Sequence, residues 1–228
     1  MPHLPIDSRV HHQVMLGFAR QGAPPDVAGL AAALAASPDD VAASLRRLDE
    51  NHGLALHPGT LELWLAHPFT NSPGGVWVEG PERGWWSPCL WCAFGLVALG
   101  APDATLHCRI GGEAEPLAIP IRGGRVAGDD LVVHFPTPPR DAWNNVVAFC
   151  AGVQPFRAPA DVEAWCTRHR RPRGAVLTLP QIEDLGRRWY GRHFDEDWVK
   201  WTPAEAQAVF DQVGLTGDHW RVPDRDRF

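Results

Sequence analysis

The segment spanning residues 84–100, GWWSPCLWCAFGLVALG, constrains the fold of this chain more than any other. Ser87 can cap a helix with its hydroxyl group, and Pro88 suits the first helical position. The apolar run that follows is typical of a buried helix, and a glycine fits just beyond its end. Cys89 and Cys92 are therefore expected in the first turns of one helix, roughly on the same face.

Two cysteines at the start of a helix indicate thiol chemistry. The unpaired backbone N–H groups and the positive end of the helix dipole favour a thiolate there, so the pKa of such a cysteine can fall well below its ordinary value of about 8.5. Trp85, Trp86 and Trp91 would keep the surroundings dry. A buried helix with structural cysteines is the alternative interpretation, because a free cysteine often serves only as a small apolar residue.

Cysteine usage and charge limit the compartment and the partners. The chain has five cysteines in 228 residues, and its amino terminus, MPHLPIDSRV, lacks the apolar core of a signal peptide. These features predict a cytoplasmic protein with free thiols rather than a disulfide scaffold. The net charge of −6 gives no case for nucleic acid or an anionic membrane as a partner, and no apolar run is long enough to span a bilayer. We therefore expect a small-molecule substrate and leave the oligomeric state open.

Residues 1–58 predict a helical, winged-helix-like amino-terminal domain. The expected elements are a helix over residues 10–20, a helix opened by Pro24 or Pro25, a helix capped by Ser37, and a hairpin of residues 54–56 and 61–64. DNA binding through Arg46 and Arg47 is one functional interpretation of this outline. We favour a helical cap packed on the main domain, because Asp39, Asp40 and further acidic residues make the third helix acidic.

Residues 59–228 predict the main, thiol-bearing domain. Pairs of glycines between β-forming runs indicate antiparallel hairpins. Strands are expected over residues 104–110, 116–122, 131–135 and, as a buried strand that contains Cys150, 146–153, with a short helix near Trp143 as the alternative for part of the segment 141–156. Helices are expected over residues 160–169, 180–192 and, behind a capping box that begins at Thr202, up to 213. The predicted fold class is α+β, with a helical amino-terminal region followed by an antiparallel-sheet core flanked by helices.

Other conspicuous residues are interpreted as structural. The aromatic residues of the carboxyl-terminal third are expected to pack where its helices meet the sheet: Trp189, Tyr190, Trp198 and Trp201. The histidines are scattered without an H-E-x-x-H or similar spacing: His67, His107, His134, His169 and His193. Each histidine alone is therefore expected to be a structural group rather than a catalyst.

Four chemistries remain open for the thiols. Cys89-x-x-Cys92 and Cys166-x-x-His169 could supply the two ligand pairs of a structural zinc site. A C-x-x-C that opens a helix also suits thiol–disulfide exchange, although hairpins rather than a βαβ unit follow it here. Soft-metal chemistry and nucleophilic catalysis need a further group, for which Cys150 is the natural candidate. A soft ion such as Hg(II) or Cu(I) prefers thiolate ligands.

Two cysteine segments and a later aromatic segment form a familiar pattern. Trp91-Cys92-Ala93-Phe94 precedes an apolar helix, Phe149-Cys150 lies in a second apolar run, and Trp165 and His169 form a W-x-x-x-H stretch. Together they resemble the organomercurial (alkylmercury) lyase family, whose first motif is W-C-A-L. The resemblance extends roughly over residues 8–195. It implies a winged-helix-like amino-terminal part followed by antiparallel sheets flanked by helices.

The resemblance also implies a reaction. In that family one thiolate attacks mercury, a second helps to hold it, and an acid protonates the leaving carbon, which implies Cys92 as the first thiol and Cys150 as the second. No cofactor is implied beyond Hg(II), as product or ligand, and free low-molecular-weight thiols. The family's acid is an aspartate three residues after the first cysteine, where this chain has Gly95. Glycine has no proton to give to the carbon.

Two interpretations follow. The first is a lyase that cleaves carbon–mercury bonds, the proton coming from Cys89, water or another acid; the spacing makes Cys89 a third thiol that could also hold mercury. The second is a homologue that has lost the reaction and binds a soft metal or carries out other cysteine-dependent chemistry on a small molecule. The missing aspartate favours the second interpretation, whereas the retained pair Cys92 and Cys150 favours the first, which we prefer.

Overall fold

The structure, a computed structural model, describes residues 5–128 and 130–224. Its amino-terminal part consists of α1 (Ile6–Gln21), α2 (Val27–Leu34) and α3 (Pro38–Glu50), with an antiparallel sheet of β1 (Ala55–Leu56), β2 (Leu63–Ala66) and β3 (Phe69–Thr70). Ser37 caps α3, since its hydroxyl oxygen accepts a hydrogen bond from the Asp40 N–H at 3.1 Å. The expected helices and hairpin are therefore present. The winged-helix identity and the domain division at residue 58 stay predictions.

A larger antiparallel sheet forms the centre of the described chain beyond β3. Its strands are β4 (Val76–Glu79), β5 (Gly84–Ser87), β6 (Ala104–Arg109), β7 (Pro116–Arg122) and β8 (Arg125–Val126), in the order β5-β4-β6-β7-β8. Gly123 and Gly124 form the turn between β7 and β8, at φ values of 56° and 75° that glycine adopts without strain. The glycine pair turns the chain as expected, but its partner strand is β8 and not the strand predicted over residues 131–135, which pairs in another sheet.

A smaller sheet and a set of helices complete the described fold. The sheet has the order β10-β9-β11 and contains β9 (Val132–Phe135), β10 (Gln154–Phe156) and β11 (Ala175–Thr178). The helices are α4 (Leu90–Gly100), α5 (Val146–Gly152), α6 (Pro159–His169), α7 (Leu179–Tyr190) and α8 (Pro203–Gln212). Antiparallel sheets flanked by helices confirm the predicted α+β class. None of the described helices is long and apolar enough to cross a lipid bilayer.

Helices α4 and α7 cross closely because each has a glycine at the contact. A Cβ atom added to Gly186 of α7 would lie 2.7 Å from the Cβ of Phe94 and 3.1 Å from the backbone nitrogen of Gly95 in α4. A larger residue at position 186 would therefore push the helices apart. The close crossing brings the end of α7, with Tyr190, over the first half of α4.

The start of α4 differs from the sequence-based prediction. Ser87 does not cap the helix, because it ends β5 in register with Val76 and its hydroxyl donates a hydrogen bond to the carbonyl of Pro68 at 3.0 Å. Pro88 therefore precedes the helix instead of occupying its first position. The residue at the cap position is Cys89, which has an extended backbone.

The apolar run 146–153 is also different, since most of it forms α5 rather than a strand. Asn145 caps this helix: its side-chain oxygen accepts a hydrogen bond from the Ala148 N–H at 2.9 Å. Short apolar runs do not separate a buried strand from a buried helix by periodicity alone. Here the Asn145 cap stabilises the helix, and Cys150 lies within this helix.

Candidate active site

Helix α4 places two of the candidate thiols side by side. Cys89 is the N-cap residue and Cys92 lies in the first turn, with their Sγ atoms 3.5 Å apart. Each residue is only 1 % exposed. The Cys89 carbonyl accepts a helical hydrogen bond from the Ala93 N–H at 2.9 Å, so the helix itself holds the two sulfur atoms together.

Helix α5 brings the third candidate thiol to the same point. The Cys150 Sγ lies 3.6 Å from the Nε2 atom of His67, and Cys150 is buried. The ligand atoms of His67, Cys92 and Cys150 all lie within 4.8 Å of one another, the only such group of three or more potential metal ligands in residues 5–128 and 130–224. The three candidate cysteines therefore meet in space, together with a histidine.

Tyr190, the last residue of α7, is in contact with the same cluster. Its hydroxyl group lies 3.3 Å from the Cys92 Sγ, within hydrogen-bond distance for sulfur. Its ring lies over Gly95, where an added Cβ would be 2.3 Å from the ring atom Cδ2. The Tyr190 ring therefore fills the space that a side chain at position 95 would need.

A cavity of about 90 Å³ opens beside the thiols. Its wall is largely aromatic and is formed by Trp91, Phe149, Trp189, Tyr190, Trp198 and Trp201. His67, His193 and Lys200 also line it, as does Cys150. Of the three thiols, Cys150 lines the cavity, whereas the sulfur of Cys92 contacts the lining residue Tyr190 and the sulfur of Cys89 contacts Cys150. The aromatic residues expected to pack a seam thus also form the wall of a cavity.

The three thiols hold their protons unequally. Burial opposes a charge on Cys89, but hydrogen bonds from the thiols of Cys150 and Cys92 outweigh it and hold the pKa of Cys89 well below its ordinary value. Burial and the neighbouring Cys89 charge raise the pKa of Cys92 well above its ordinary value. The hydrogen bonds that Cys150 makes to the other two sulfurs, with its burial, raise the pKa of Cys150 likewise. Of the three thiols, Cys89 is therefore the one whose pKa is lowered.

The rings around the thiols are uncharged at neutral pH. Burial lowers the pKa of His67 to about 4. Burial, with His11 and His67 nearby, lowers the pKa of His193 well below its ordinary value. Burial and the charges of the thiols raise the pKa of Tyr190 well above its ordinary value. The imidazoles of His67 and His193 and the phenol of Tyr190 therefore carry no charge beside the thiols.

The proposed zinc ligands of α6 lie outside this cluster. Cys166 is buried, with its Sγ 3.7 Å from the Nε2 of His134. His169 is exposed at the end of α6. Neither joins Cys89 and Cys92 in a ligand group within the described residues. The four-ligand zinc site that the spacing allowed is therefore not formed.

His67 and Tyr190 belong to the cluster although the sequence indicates only structural roles for them. His67 is separated from Cys150 by 83 residues, and Tyr190 from Cys92 by 98 residues. No local spacing can therefore connect them with the thiols. One available signal was Gly95, because a glycine inside a buried helix often marks the close approach of another group.

Comparisons with known proteins place the chain in a family. The model of the alkylmercury lyase family, MerB, matches residues 69–191. The fold is similar to the crystal structure of the mercury-bound form of MerB2, with a TM-score of 0.68 and 19 % sequence identity over 85 % of this chain and 92 % of that chain. No curated protein matches the chain in sequence. Because the family model covers more than half of the 228 residues, this protein belongs to the alkylmercury lyase family.

Proposed function

We propose that this protein cleaves the carbon–mercury bond of organomercurials by protonolysis, with the mercury held by Cys92 and Cys150. The observation that carries the proposal is the meeting of three buried sulfur atoms beside an apolar cavity. Membership of the alkylmercury lyase family supports it. The similar fold of MerB2, which is known in a mercury-bound form, supports it further.

The ligand set of the cluster suits mercury. Soft ions such as Hg(II) prefer thiolates and low coordination numbers. The sulfur atoms of Cys92 and Cys150 lie within 4.8 Å of each other, so one ion can bond both without a large movement of the chain. His67, whose Nε2 atom belongs to the same group, is a neutral third neighbour.

Each thiol has a different task in this proposal. Cys150 lines the cavity and bonds mercury first, while its proton passes to the Cys89 thiolate with which it shares a hydrogen bond. Cys92 lies deeper and supplies the second sulfur. This order is the reverse of the one that the family resemblance implies. Cys89 serves as a proton acceptor rather than the proton donor that its spacing suggested, and it remains beside the bound ion as a third thiol.

The aromatic wall contributes by excluding water. Trp91 and Trp198 are each less than one-tenth exposed, and they enclose the cavity with further indole rings. In a site of low dielectric constant the interaction of a fixed donor with charge that develops on carbon is stronger than in water. Free low-molecular-weight thiols deliver the substrate and remove the Hg(II) product. The predicted cytoplasmic location would supply them.

Release of hydrocarbon from a simple organomercurial tests the proposal. Phenylmercury is supplied with excess free thiol, and benzene is measured by gas chromatography. We expect benzene from the wild-type protein and none above background from Cys92→Ser. The control is Cys166→Ser, which removes a buried cysteine outside the cluster and should keep the wild-type rate. Equal release from Cys92→Ser and the wild type would contradict the proposal.

Soft-metal binding without cleavage is the second candidate function. It is favoured by Gly95, which offers no acid beside Cys92, while the two thiols and His67 alone already form a ligand group. The protein would then sequester a soft ion or carry out other cysteine-dependent chemistry on a small molecule. Tight mercury binding without benzene release from the wild type would establish this alternative.

A further inference from the structure

We propose that the phenol of Tyr190 is the acid that protonates the leaving carbon, an inference that rests on the proposed lyase function. Protonolysis needs a proton donor that is held next to the sulfur-bound mercury. Tyr190 both lines the cavity and contacts the Cys92 sulfur through its hydroxyl group at 3.3 Å. Tyr190 therefore lies between the cavity, which would hold the organic group, and the Cys92 sulfur, which would bond the mercury.

The packing around Gly95 supports this role. An added Cβ at position 95 would lie 2.3 Å from Cδ2 and 2.6 Å from Cγ of Tyr190. The tyrosine ring thus occupies the volume above the second turn of α4, which a side chain at position 95 would otherwise fill. The close crossing of α4 and α7 at Gly186 holds the ring there. Only 3 % of Tyr190 is exposed, so its hydroxyl group is directed by packing and not by solvent.

The other polar groups of the cavity are less suited to the task. His67 contacts the sulfur of Cys150, at 3.6 Å, rather than that of Cys92. His193 is buried and packs on the Tyr190 ring, with ring centroids 4.9 Å apart. The ammonium group of Lys200 donates a hydrogen bond to the Asn51 carbonyl at 2.9 Å, which directs it towards the loop after α3. Tyr190 is a cavity residue whose hydroxyl group contacts the Cys92 sulfur.

The contacts permit a balanced sequence of steps. The substrate R–Hg–SR′ exchanges R′S⁻ for the Cys150 sulfur, and the Cys150 proton moves to Cys89. The carbon–mercury bond then breaks with its electron pair on carbon, which takes the phenolic proton and leaves as R–H. The Tyr190 oxygen regains a proton from the Cys92 thiol, 3.3 Å away, as the Cys92 sulfur bonds mercury in place of carbon. Mercury remains Hg(II) throughout, and no oxidant or reductant is required.

Tyr190→Phe tests the inference, because it keeps the ring over Gly95 and removes only the hydroxyl group. We expect single-turnover benzene release from phenylmercury to slow by about 100-fold or more, the usual contribution of a general acid. Titration with Hg(II), followed by the ultraviolet band of the mercury–thiolate bonds, should give unchanged affinity. The control is Ser44→Ala. It removes another fully buried hydroxyl group, which donates a hydrogen bond to the Asp7 carboxylate, and it should leave the rate unchanged.

A second pair of variants asks whether this volume is the position of the proton donor. Tyr190→Ala empties it and removes the acid. Adding Gly95→Asp to that variant places a carboxyl group in the space vacated by the ring, and we expect benzene release to recover by about tenfold or more over Tyr190→Ala alone. Equal rates for the single and the double variant would contradict the inference.

The outcomes separate this inference from the proposed function. A wild-type protein that releases benzene, with an equally fast Tyr190→Phe variant, would overturn the role of Tyr190 and leave the lyase function standing. A wild-type protein that binds Hg(II) but releases no benzene would overturn both.

Discussion

Cys89, Cys92 and Cys150 are chemically different although their sulfur atoms form one cluster. Cys89 receives hydrogen bonds from the other two thiols and has the lowered pKa, whereas the pKa values of Cys92 and Cys150 are raised. One thiolate with two thiols is a useful starting state for binding mercury. In the proposed reaction Cys89 accepts the first displaced proton, and the Cys92 proton replaces the one that Tyr190 gives to the carbon.

A titration of the thiolate can check this assignment. Because the pKa of Cys89 in the folded protein is lowered, its ultraviolet thiolate band should persist below the pH at which an ordinary cysteine is protonated, and it should disappear as the pH falls through the lowered pKa. Cys89→Ser should show a weaker band at neutral pH, because it removes the thiol with the lowered pKa while burial still raises the pKa values of Cys92 and Cys150. The control Cys166→Ser should keep it. A band of wild-type size in Cys89→Ser would contradict the assignment.

Individual residues of the site differ in how far the sequence can predict them. Cys89 and Cys92 share one helix start, so their spacing alone indicates that they act together. Cys150 is recognisable through the resemblance of its segment to a known family. His67 and Tyr190 reach the thiols only through the tertiary fold, and neither has a local pattern that signals its role.

Helix α5 shows that the type of a secondary-structure element can be predicted wrongly while its candidate functional residue is still identified. Its apolar, β-branched sequence predicts a strand, and the signal for a helix is the single cap residue Asn145. Where several signals agree, as in the Thr202 capping box of α8 or the Ser37 cap of α3, the sequence predicts the element correctly. Ser87 fails as a cap because it pairs with Val76 in the hairpin of β4 and β5, which extends its backbone.

The cap of α5 should matter for mercury binding because this helix presents Cys150. Asn145→Ala removes the hydrogen bond to the Ala148 N–H and should lower the free energy of unfolding by about 1 kcal/mol. Since it loosens the helix that orients a ligand, Hg(II) affinity should fall by about tenfold. Affinity is measured by competition with a thiol chelator, and stability by urea unfolding.

The matched control is Ser37→Ala, which removes the equivalent cap from α3. It should cost a similar amount of stability and leave Hg(II) affinity unchanged. If both variants weakened mercury binding equally, the effect would come from global stability, and the role of α5 as a positioning element would be wrong.

At the scale of the whole molecule, buried histidines join the amino-terminal helices to the segment around the cavity. His11 of α1 is fully buried and stacks on Trp198, with ring centroids 3.8 Å apart, while His193 lies 6.1 Å away. Neither ring nitrogen of His11 has a hydrogen-bond partner among residues 5–128 and 130–224. Burial, with a smaller effect of His12, therefore lowers the pKa of His11 to about 3.

This burial predicts loss of stability in mild acid. The unfolded chain protonates His11 near pH 6.5, whereas the folded protein does not until about pH 3, so the unfolded state binds more protons between these values. The stability that the neutral His11 contributes is fully present above pH 6.5 and falls as the pH decreases towards 3. When the pH is lowered from 7 to 5, the free energy of unfolding should decrease in both proteins. The decrease should be about 2 kcal/mol smaller for His11→Phe than for the wild type.

Urea unfolding at the two pH values measures the difference. Phe18→Leu, a buried substitution in the same helix that does not titrate, serves as the control and should lower stability equally at both pH values. An unchanged pH dependence in His11→Phe would show that His11 is not the group responsible.

A single turnover without added thiol shows whether the three-thiol cavity breaks carbon–mercury bonds. Equimolar protein and phenylmercury are mixed, benzene is quantified, and the mass of the intact protein is recorded in the same sample. We expect one benzene per chain and a protein that carries one mercury without a phenyl group. A protein that retains an intact phenylmercury adduct and releases no benzene would contradict it.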